Sequence, residues 1–290
     1  MGKLGVIGGM GPQATELMYQ KIISMTDARC DQEHIDMIIL SHAAMPDRTA
    51  AIRSGKTEKV FSLLAEDAKT LERCGADYIA IPCNTSHYFY DELQAQVSIP
   101  IIHMVREAVK RVRERDTSVK KVGLLATDGT VYAGIYKKEC EKLGLECVTP
   151  DERTQKLVMK IIYDQIKAGE KGSIDDFGEI DTYLKKNGCE AAILACTELS
   201  CFKNYHALDR FYLDALDVLC MAYRQKLKLP EDELYSMLRS RLEQQLADAT
   251  FEGEDIDENE LRDISGRARF LIRKLCAKGW FEKERGPDFR

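Results

Sequence analysis

Two short stretches decide the fold of this chain. They are Ala-Ile-Pro-Cys-Asn-Thr-Ser-His at residues 80–87 and Ile-Leu-Ala-Cys-Thr-Glu-Leu at residues 193–199. Each is an apolar run that ends in a cysteine and continues with polar side chains. This pattern is typical of a buried strand whose carboxyl end carries chemistry in an open α/β sheet. Because Cys83 and Cys196 hold matching places in two halves of the chain, we predict two thiols that face one substrate.

Around these stretches, β-like runs alternate with helix-length amphipathic segments, which predicts parallel sheets with helices on their faces. Strands are predicted near residues 4–8, 37–41, 78–81, 101–102, 122–126, 146–148, 191–194 and 211–213. Helices are predicted near residues 12–28, 57–74, 86–96, 104–114, 131–143, 154–168, 175–186 and 215–228.

A weak internal repeat divides this α/β region into two similar lobes. Gly5 precedes Cys83 by 78 residues, and Gly123 precedes Cys196 by 73 residues. We therefore predict a two-lobed region over residues 1–228, with the active site in the cleft between the lobes. The first lobe takes residues 1–102 and 207–228, the second takes residues 103–206, and an appended helical module follows at residues 229–290.

The composition excludes several classes of protein. The 290 residues are 44% hydrophobic and 31% charged, with a formal net charge of −6, which is an ordinary globular mixture. This charge gives no footprint for nucleic acid or for an anionic membrane surface. No apolar run approaches the roughly 18 residues of a membrane span, and the N-terminus lacks the pattern of a signal peptide. We therefore expect a cytoplasmic protein with no membrane partner.

The ten cysteines contain no Cys-x-x-Cys pair, so a zinc ribbon or a thioredoxin-like motif is not indicated. We expect reduced thiols and no bound metal. Eight of the ten are interpreted as structural thiols, most of them acting as small buried hydrophobic side chains. They are Cys30, Cys74, Cys140, Cys147, Cys189, Cys201, Cys220 and Cys276.

Five motifs in order resemble those of the aspartate/glutamate racemase family. They lie at residues 8–15 (Gly-Gly-Met-Gly-Pro-Gln-Ala-Thr), 45–49 (Met-Pro-Asp-Arg-Thr), 82–87 (Pro-Cys-Asn-Thr-Ser-His), 124–130 (Leu-Leu-Ala-Thr-Asp-Gly-Thr) and 195–199 (Ala-Cys-Thr-Glu-Leu). The resemblance covers roughly residues 1–225. It implies a cofactor-independent enzyme that uses two cysteines, usually as a homodimer, and it implies that Cys83 and Cys196 are the two bases.

The residues fit that chemistry. Racemisation removes the Cα proton from one face and delivers a proton to the other, so two proton-transfer groups must flank Cα. A cysteine has an ordinary pKa of about 8.5, and a helix N-terminus lowers it. One cysteine must be a thiolate and the other a thiol when each turnover begins.

The remaining candidates bind or support the substrate. Asn84, Thr85 and Thr197 are placed to donate hydrogen bonds to the α-carboxylate, although Asn84 and Thr197 also fit as helix caps. By resemblance, Thr127 and the turn that contains Met10 complete this cradle.

A small dicarboxylic amino acid needs a second cationic group. Arg48 is a candidate because its planar fork matches a carboxylate, and Lys167 is a candidate by resemblance. Glu198 is a possible modulator of the Cys196 thiol, and Asp47 a possible support for Arg48. His87 is interpreted as a helix-start residue.

Three alternatives to an acidic amino-acid racemase stay open. Two belong to the same superfamily: a hydantoin racemase, and a maleate-type cis–trans isomerase in which a cysteine attacks a C=C bond. The third is a non-catalytic protein that senses an amino acid. In that case the C-terminal module at residues 229–290 contacts a protein partner. The sequence does not separate aspartate from glutamate.

Overall fold

The structure is a computed structural model that describes residues 2–26 and 28–226. The side chains of residues 224–226 are outside this description. The predicted helical module at residues 229–290 and Cys276 lie outside it as well.

Two parallel sheets form the framework. The first contains β1 (Leu4–Gly8), β2 (Met37–Ser41) and β3 (Tyr78–Ala80) in the order β2-β1-β3. The second contains β4 (Lys121–Leu125), β5 (Glu146–Val148), β6 (Ala191–Leu194) and β7 (Tyr212–Asp214) in the order β5-β4-β6-β7. All strand pairs are parallel. The predicted α/β class is confirmed.

Eleven α-helices connect these strands within the described residues. They are α1 (Pro12–Met25), α2 (Arg48–Ser54), α3 (Glu58–Arg73), α4 (Tyr90–Gln94), α5 (Met104–Arg115), α6 (Asp128–Ala133), α7 (Ile135–Lys142), α8 (Glu152–Met159), α9 (Ile174–Lys186), α10 (Thr197–Tyr205) and α11 (Ala215–Lys226). Short 3₁₀ helices lie at Asp31–Glu33 and Thr85–Phe89, and a π-helix at Lys160–Ile166 follows α8.

The two sheets repeat one arrangement. In each, the first strand is central, the second lies at one edge, and the third leads into a cysteine. In the second sheet a fourth strand, β7, lies beside the third. In the first sheet the corresponding place is taken only by an isolated parallel bridge between Ile79 and Ile101. The strand predicted at residues 101–102 is therefore reduced to this bridge, and both sheets place their third strand between the first and the fourth.

The segment at residues 207–228 was expected to belong entirely to the first lobe, but its strand, β7, belongs to the second sheet. β7 pairs with β6 in the second sheet, with Leu194 opposite Asp214. The helix that follows contacts the first lobe, because Tyr223 donates a hydrogen bond from its hydroxyl to the carbonyl of Gly2 (2.8 Å). Conversely α5, which follows the first sheet in sequence, packs against α7 and β7.

Amphipathic helices cover the first sheet. On α3, the apolar side chains Val60, Leu64, Ala68 and Leu71 recur at helical spacing, are buried, and belong to the core under β1 and β3. Strand β1 is buried along its whole length, as expected for a strand with both faces covered.

One glycine permits a close approach of α6 to α2. A Cβ at Gly129 would lie 2.7 Å from Cα of Thr49, well inside contact distance. Only a residue without a side chain fits there. Because the first residues of α2 and α6 both belong to predicted site motifs, this contact brings the motifs together.

Candidate active site

Cys83 and Cys196 follow β3 and β6 at the carboxyl ends of the two sheets, and each is 6% exposed. Both line a single pocket. Its other lining residues are Met10, Asp47, Arg48, Thr49, Asn84, Thr85, Thr127, Tyr163, Lys167, Thr197 and Glu198. Every site residue predicted from the sequence therefore lies around this pocket, together with Thr49 and Tyr163, which were not predicted.

Arg48 lies beside Cys83. It is the first residue of α2, a helix that is not among those predicted from the sequence, and it is 8% exposed. Its Nη1 donates to the carbonyls of Met45 (3.2 Å) and Pro46 (3.0 Å), which fixes the guanidinium. Burial opposes the charge of Arg48, but the neighbouring Cys83 and Asp47 outweigh burial and raise the pKa of Arg48. Cys83 therefore has a cation and a hydrogen-bond donor at its side.

Cys196 has the opposite environment. It is the N-cap residue of α10, and its Sγ donates a hydrogen bond to Oε2 of Glu198 (2.9 Å). Burial and then the charge of Glu198 raise the pKa of Cys196 well above its ordinary value, while Lys167 opposes them. The thiol form is thus favoured at Cys196, and Glu198 contacts this thiol as the sequence suggested.

Asn84 is held by a residue that the sequence did not indicate. The hydroxyl of Tyr136 on α7 donates to Oδ1 of Asn84 (2.5 Å), and both side chains are buried. Among the described residues, Asn84 makes no side-chain cap for the 3₁₀ helix Thr85–Phe89, so the capping interpretation is wrong for it. The tyrosine fixes the amide with its oxygen turned away and its NH₂ group available.

Three hydroxyl groups form a cluster between the two lobes. Thr85 Oγ1 lies 3.0 Å from Oγ1 of Thr127 and 2.9 Å from Oγ1 of Thr130. Thr127 is also the N-cap of α6 and accepts from the backbone N–H of Thr130. Thr197 is the first residue of α10 rather than its cap, and its hydroxyl donates to the carbonyl of Pro82 (3.3 Å).

Lys167 enters the pocket above an aromatic ring. Its Nζ lies 4.1 Å from the centroid of Tyr163 and 4.0 Å from Oε1 of Glu198. The Tyr163 hydroxyl donates to Oδ2 of Asp47 (2.9 Å), and Asp47 Oδ1 caps α2 by accepting from the N–H of Ala50 (2.8 Å). Asp47 therefore fixes the Tyr163 hydroxyl and the first turn of α2. It also places a negative charge beside Arg48.

Three buried polar atoms of this pocket make no hydrogen bond within the described part of the chain. Two are donors, Nε of Arg48 and Nδ2 of Asn84, and one is an acceptor, Oε1 of Glu198. Unpartnered buried polar groups are rare in folded proteins and require an explanation. Two free donors and one free acceptor match a ligand that carries both an anionic group and an N–H group.

His87 supports the backbone of Cys83. Its Nε2 accepts from the N–H of Met104 (3.0 Å), so Nδ1 carries the proton and donates to the carbonyl of Cys83 (2.9 Å). Burial lowers the pKa of His87, which keeps the ring neutral. His87, predicted as a helix-start residue, thus also fixes the backbone at Cys83 through this hydrogen bond.

No cluster of three or more His, Cys, Asp or Glu side chains is arranged to hold a metal ion in the described part of the chain. No helix in residues 2–26 or 28–226 is both long and apolar enough to cross a membrane.

A family model described as Asp/Glu/Hydantoin racemase matches residues 7–219. The chain belongs to this racemase family. The resemblance found in the sequence motifs is therefore confirmed. A second family model, described as Wadjet protein JetA, matches residues 218–290, most of which lie outside the described residues.

Two curated relatives of this racemase family member illustrate the similarity. The broad specificity amino-acid racemase RacX of Bacillus subtilis (strain 168) is 31% identical over 156 residues, which cover 52% of this chain and 66% of RacX. The glutamate racemase of Aquifex pyrophilus is 29% identical over 160 residues, covering 52% of this chain and 57% of that protein. The chain thus spans less than two thirds of the length of either relative.

Solved structures of racemases share the fold. The aspartate racemase of Picrophilus torridus is 28% identical, with a TM-score of 0.66, and the match covers 80% of this chain and 97% of that one. The glutamate racemase of Francisella tularensis in complex with D-glutamate is 22% identical, with a TM-score of 0.55 over 76% of this chain and 79% of that one. The latter likeness concerns the fold alone.

Proposed function

We propose that this protein racemises an acidic amino acid, aspartate or glutamate, by proton transfer between Cys83 and Cys196 without a cofactor. The observation that carries the proposal is the unequal pairing of two buried thiols in one pocket. A cation lies beside Cys83 and a carboxylate accepts a hydrogen bond from Cys196. Two-base racemisation requires one thiolate and one thiol at the start, and this arrangement supplies that asymmetry.

In the proposed reaction, the Cys83 thiolate, stabilised by Arg48, removes the Cα proton. The Cys196 thiol then delivers its proton to the opposite face of Cα. One proton is gained and one is lost by the substrate, so the product is the other enantiomer. The enzyme finishes with Cys83 as thiol and Cys196 as thiolate, the starting state for the reverse direction.

The carbanion that forms at Cα must delocalise its charge into the α-carboxylate, so donors to that group act in the transition state. The free Nδ2 of Asn84 and the hydroxyls of Thr85 and Thr127 are the candidate donors. Oε1 of Glu198, which makes no hydrogen bond within the described residues, is the candidate acceptor for the substrate ammonium.

A dicarboxylate is proposed because two cations line the pocket. Arg48 retains a free Nε donor, and Lys167 lines the pocket with its Nζ over the ring of Tyr163. An acidic side chain bound between them compensates the buried charge of Arg48 and pairs with the more exposed Lys167. The broad-specificity relative RacX makes the substrate range a question for direct measurement.

The test is ¹H NMR of L-aspartate and of L-glutamate incubated with the full chain in D₂O without added cofactor, with L-alanine as a neutral control. We expect loss of the Cα–H signal together with loss of optical rotation for an acidic substrate. Cys83→Ser and Cys196→Ser each abolish racemisation, whereas Cys74→Ser, at the exposed cysteine that directly follows α3, does not. Binding of aspartate without exchange of its Cα proton would point to a sensing role instead, and conversion of maleate without racemisation to the isomerase.

A further inference from the structure

A second pair of cysteines lies outside the lining of the pocket. Cys140 is on α7 and Cys147 is on β5, the strand that packs against this helix, and the two thiols lie within reach of each other. Cys140 is fully buried, whereas Cys147 is partly exposed. From the sequence, both are interpreted as buried structural thiols. That interpretation is wrong for Cys147, and also for Cys30 and Cys74, which are exposed.

The backbone keeps these two sulfur atoms close. Helix α7 ends next to Leu143, the chain turns at Gly144 (φ 65°), and the N–H of Leu145 bonds back to the carbonyl of Cys140 (2.9 Å). Strand β5 then brings Cys147 against the helix. A covalent link would close only a short loop, whose ends are already held together.

The two thiols differ in exposure and in the direction in which their pKa values are shifted. The hydrogen bond from Cys140 lowers the pKa of Cys147, burial opposes this, and the charge of Lys137 adds to it. The same hydrogen bond and burial raise the pKa of Cys140. The thiolate is the nucleophile in cysteine oxidation, so the more exposed sulfur is also the more reactive one.

We propose that Cys140 and Cys147 form a peroxide-sensitive dithiol site. The Cys147 thiolate attacks hydrogen peroxide, which gives a sulfenic acid at Cys147 and, after protonation of the leaving hydroxide, one water. The sulfur of Cys140 then attacks the sulfenic sulfur, a disulfide forms, and a second water leaves. Two thiols lose two electrons, and one peroxide becomes two waters.

The dithiol site is connected to the pocket through one helical turn. Tyr136 lies four residues before Cys140 on α7, on the same face, and its hydroxyl donates to Asn84. A disulfide changes the side-chain geometry at the C-terminal end of α7 and therefore the position of Tyr136. This second part rests on the proposed function, because it predicts that oxidation lowers the rate of racemisation.

The experiment titrates the reduced full chain with hydrogen peroxide, blocks the remaining thiols by alkylation under denaturing conditions, and maps the peptides by mass spectrometry. We expect a Cys140–Cys147 cross-link with a mass loss of about 2 Da, reversed by dithiothreitol and absent in Cys147→Ser and in Cys147→Ala. Cys74→Ser is the matched control and retains the cross-link. Full alkylation of both thiols at a peroxide level that oxidises Cys74 overturns the proposal. So does a link from Cys147 to the nearby Cys189.

Activity forms a separate readout. Peroxide also oxidises Cys83 and Cys196, so the wild-type loss is compared with that of Cys147→Ser. A loss at least twofold greater in the wild type, recovered with dithiothreitol, supports the coupling through Tyr136, and equal losses refute it. If the reduced protein shows no racemisation at all, the mapped disulfide still decides the dithiol site, so the two proposals fail separately.

Discussion

Replacing Tyr136 by phenylalanine tests whether the pocket depends on a residue that does not line it. The change removes one oxygen atom and leaves the fully buried ring in place. It also removes the 2.5 Å hydrogen bond to Oδ1 of Asn84. That oxygen then lies buried without a partner, and the amide loses the contact that fixes its orientation.

The expected size of the effect follows from this contact. A buried acceptor left without its donor costs about 1–3 kcal/mol of the free energy of unfolding. A hydrogen bond from the Asn84 amide to a charged carboxylate is worth about 1.5–3 kcal/mol, so kcat/KM falls by about tenfold to hundredfold if the amide is misplaced in the transition state. Asn84→Ala sets the upper limit of this loss.

The assay measures racemisation of aspartate or glutamate by circular dichroism at 25 °C, with a thermal melt of each variant to establish that it is folded. If Tyr136 acts through Asn84, then Tyr136→Phe made in the Asn84→Ala background costs less than about twofold more. Tyr132→Phe, at a side chain that is 72% exposed, is the matched control and leaves kcat/KM unchanged. Equal losses from Tyr136→Phe in the wild-type and Asn84→Ala backgrounds would refute the reasoning.

Three further predictions concern the two thiols and the contact between helices. Glu198→Gln removes a charge that raises the pKa of Cys196, so the high-pH limb of the rate profile should move to lower pH; an unchanged limb contradicts the assignment of Cys196 as the acid. Arg48→Lys keeps the charge but loses the planar guanidinium, so kcat/KM should fall by about tenfold or more. An unchanged kcat/KM would mean that only the charge of Arg48 matters. Gly129→Ala puts a Cβ 2.7 Å from Cα of Thr49 and should lower the unfolding free energy by about 1–3 kcal/mol in a denaturant titration, whereas an unchanged midpoint would disprove the tight packing.

The sequence was most informative where a strict geometric rule applies. Because parallel strands end at one edge of a sheet, an apolar run ending in Cys83 or Cys196 predicted the position of each thiol correctly. The repeat of strand order in the two sheets agrees with the weak repeat seen in the sequence. The resemblance to the racemase family identified Lys167 and Thr127 as site residues, and both line the pocket.

Tertiary contacts limited the rest. Tyr136 reads as one more apolar position of a helix, and nothing local indicates that its hydroxyl reaches Asn84. The helix predicted over residues 154–168 changes to a π-helix after Met159, so Tyr163 was not recognised as a pocket residue although it lies four positions before Lys167. The start of α2 did have a local signal, because Asp47 is a favourable N-cap residue, and this signal was missed.

The reciprocal placement of α5 and α11 bears on how the chain folds and how it is built. Helix α5 follows the first sheet in sequence but packs against the second half of the α/β region, and α11 follows the second sheet but contacts the first half. The two halves thus exchange one helix each, as in a domain-swapped dimer, but within a single polypeptide. Neither half can then complete its packing alone, and fragments divided after α5, residues 1–115 and 116–226, would be complementing pieces rather than autonomous folding units. Because each half needs the other to complete its packing, Cys83 and Cys196 come together only when the whole α/β region has folded.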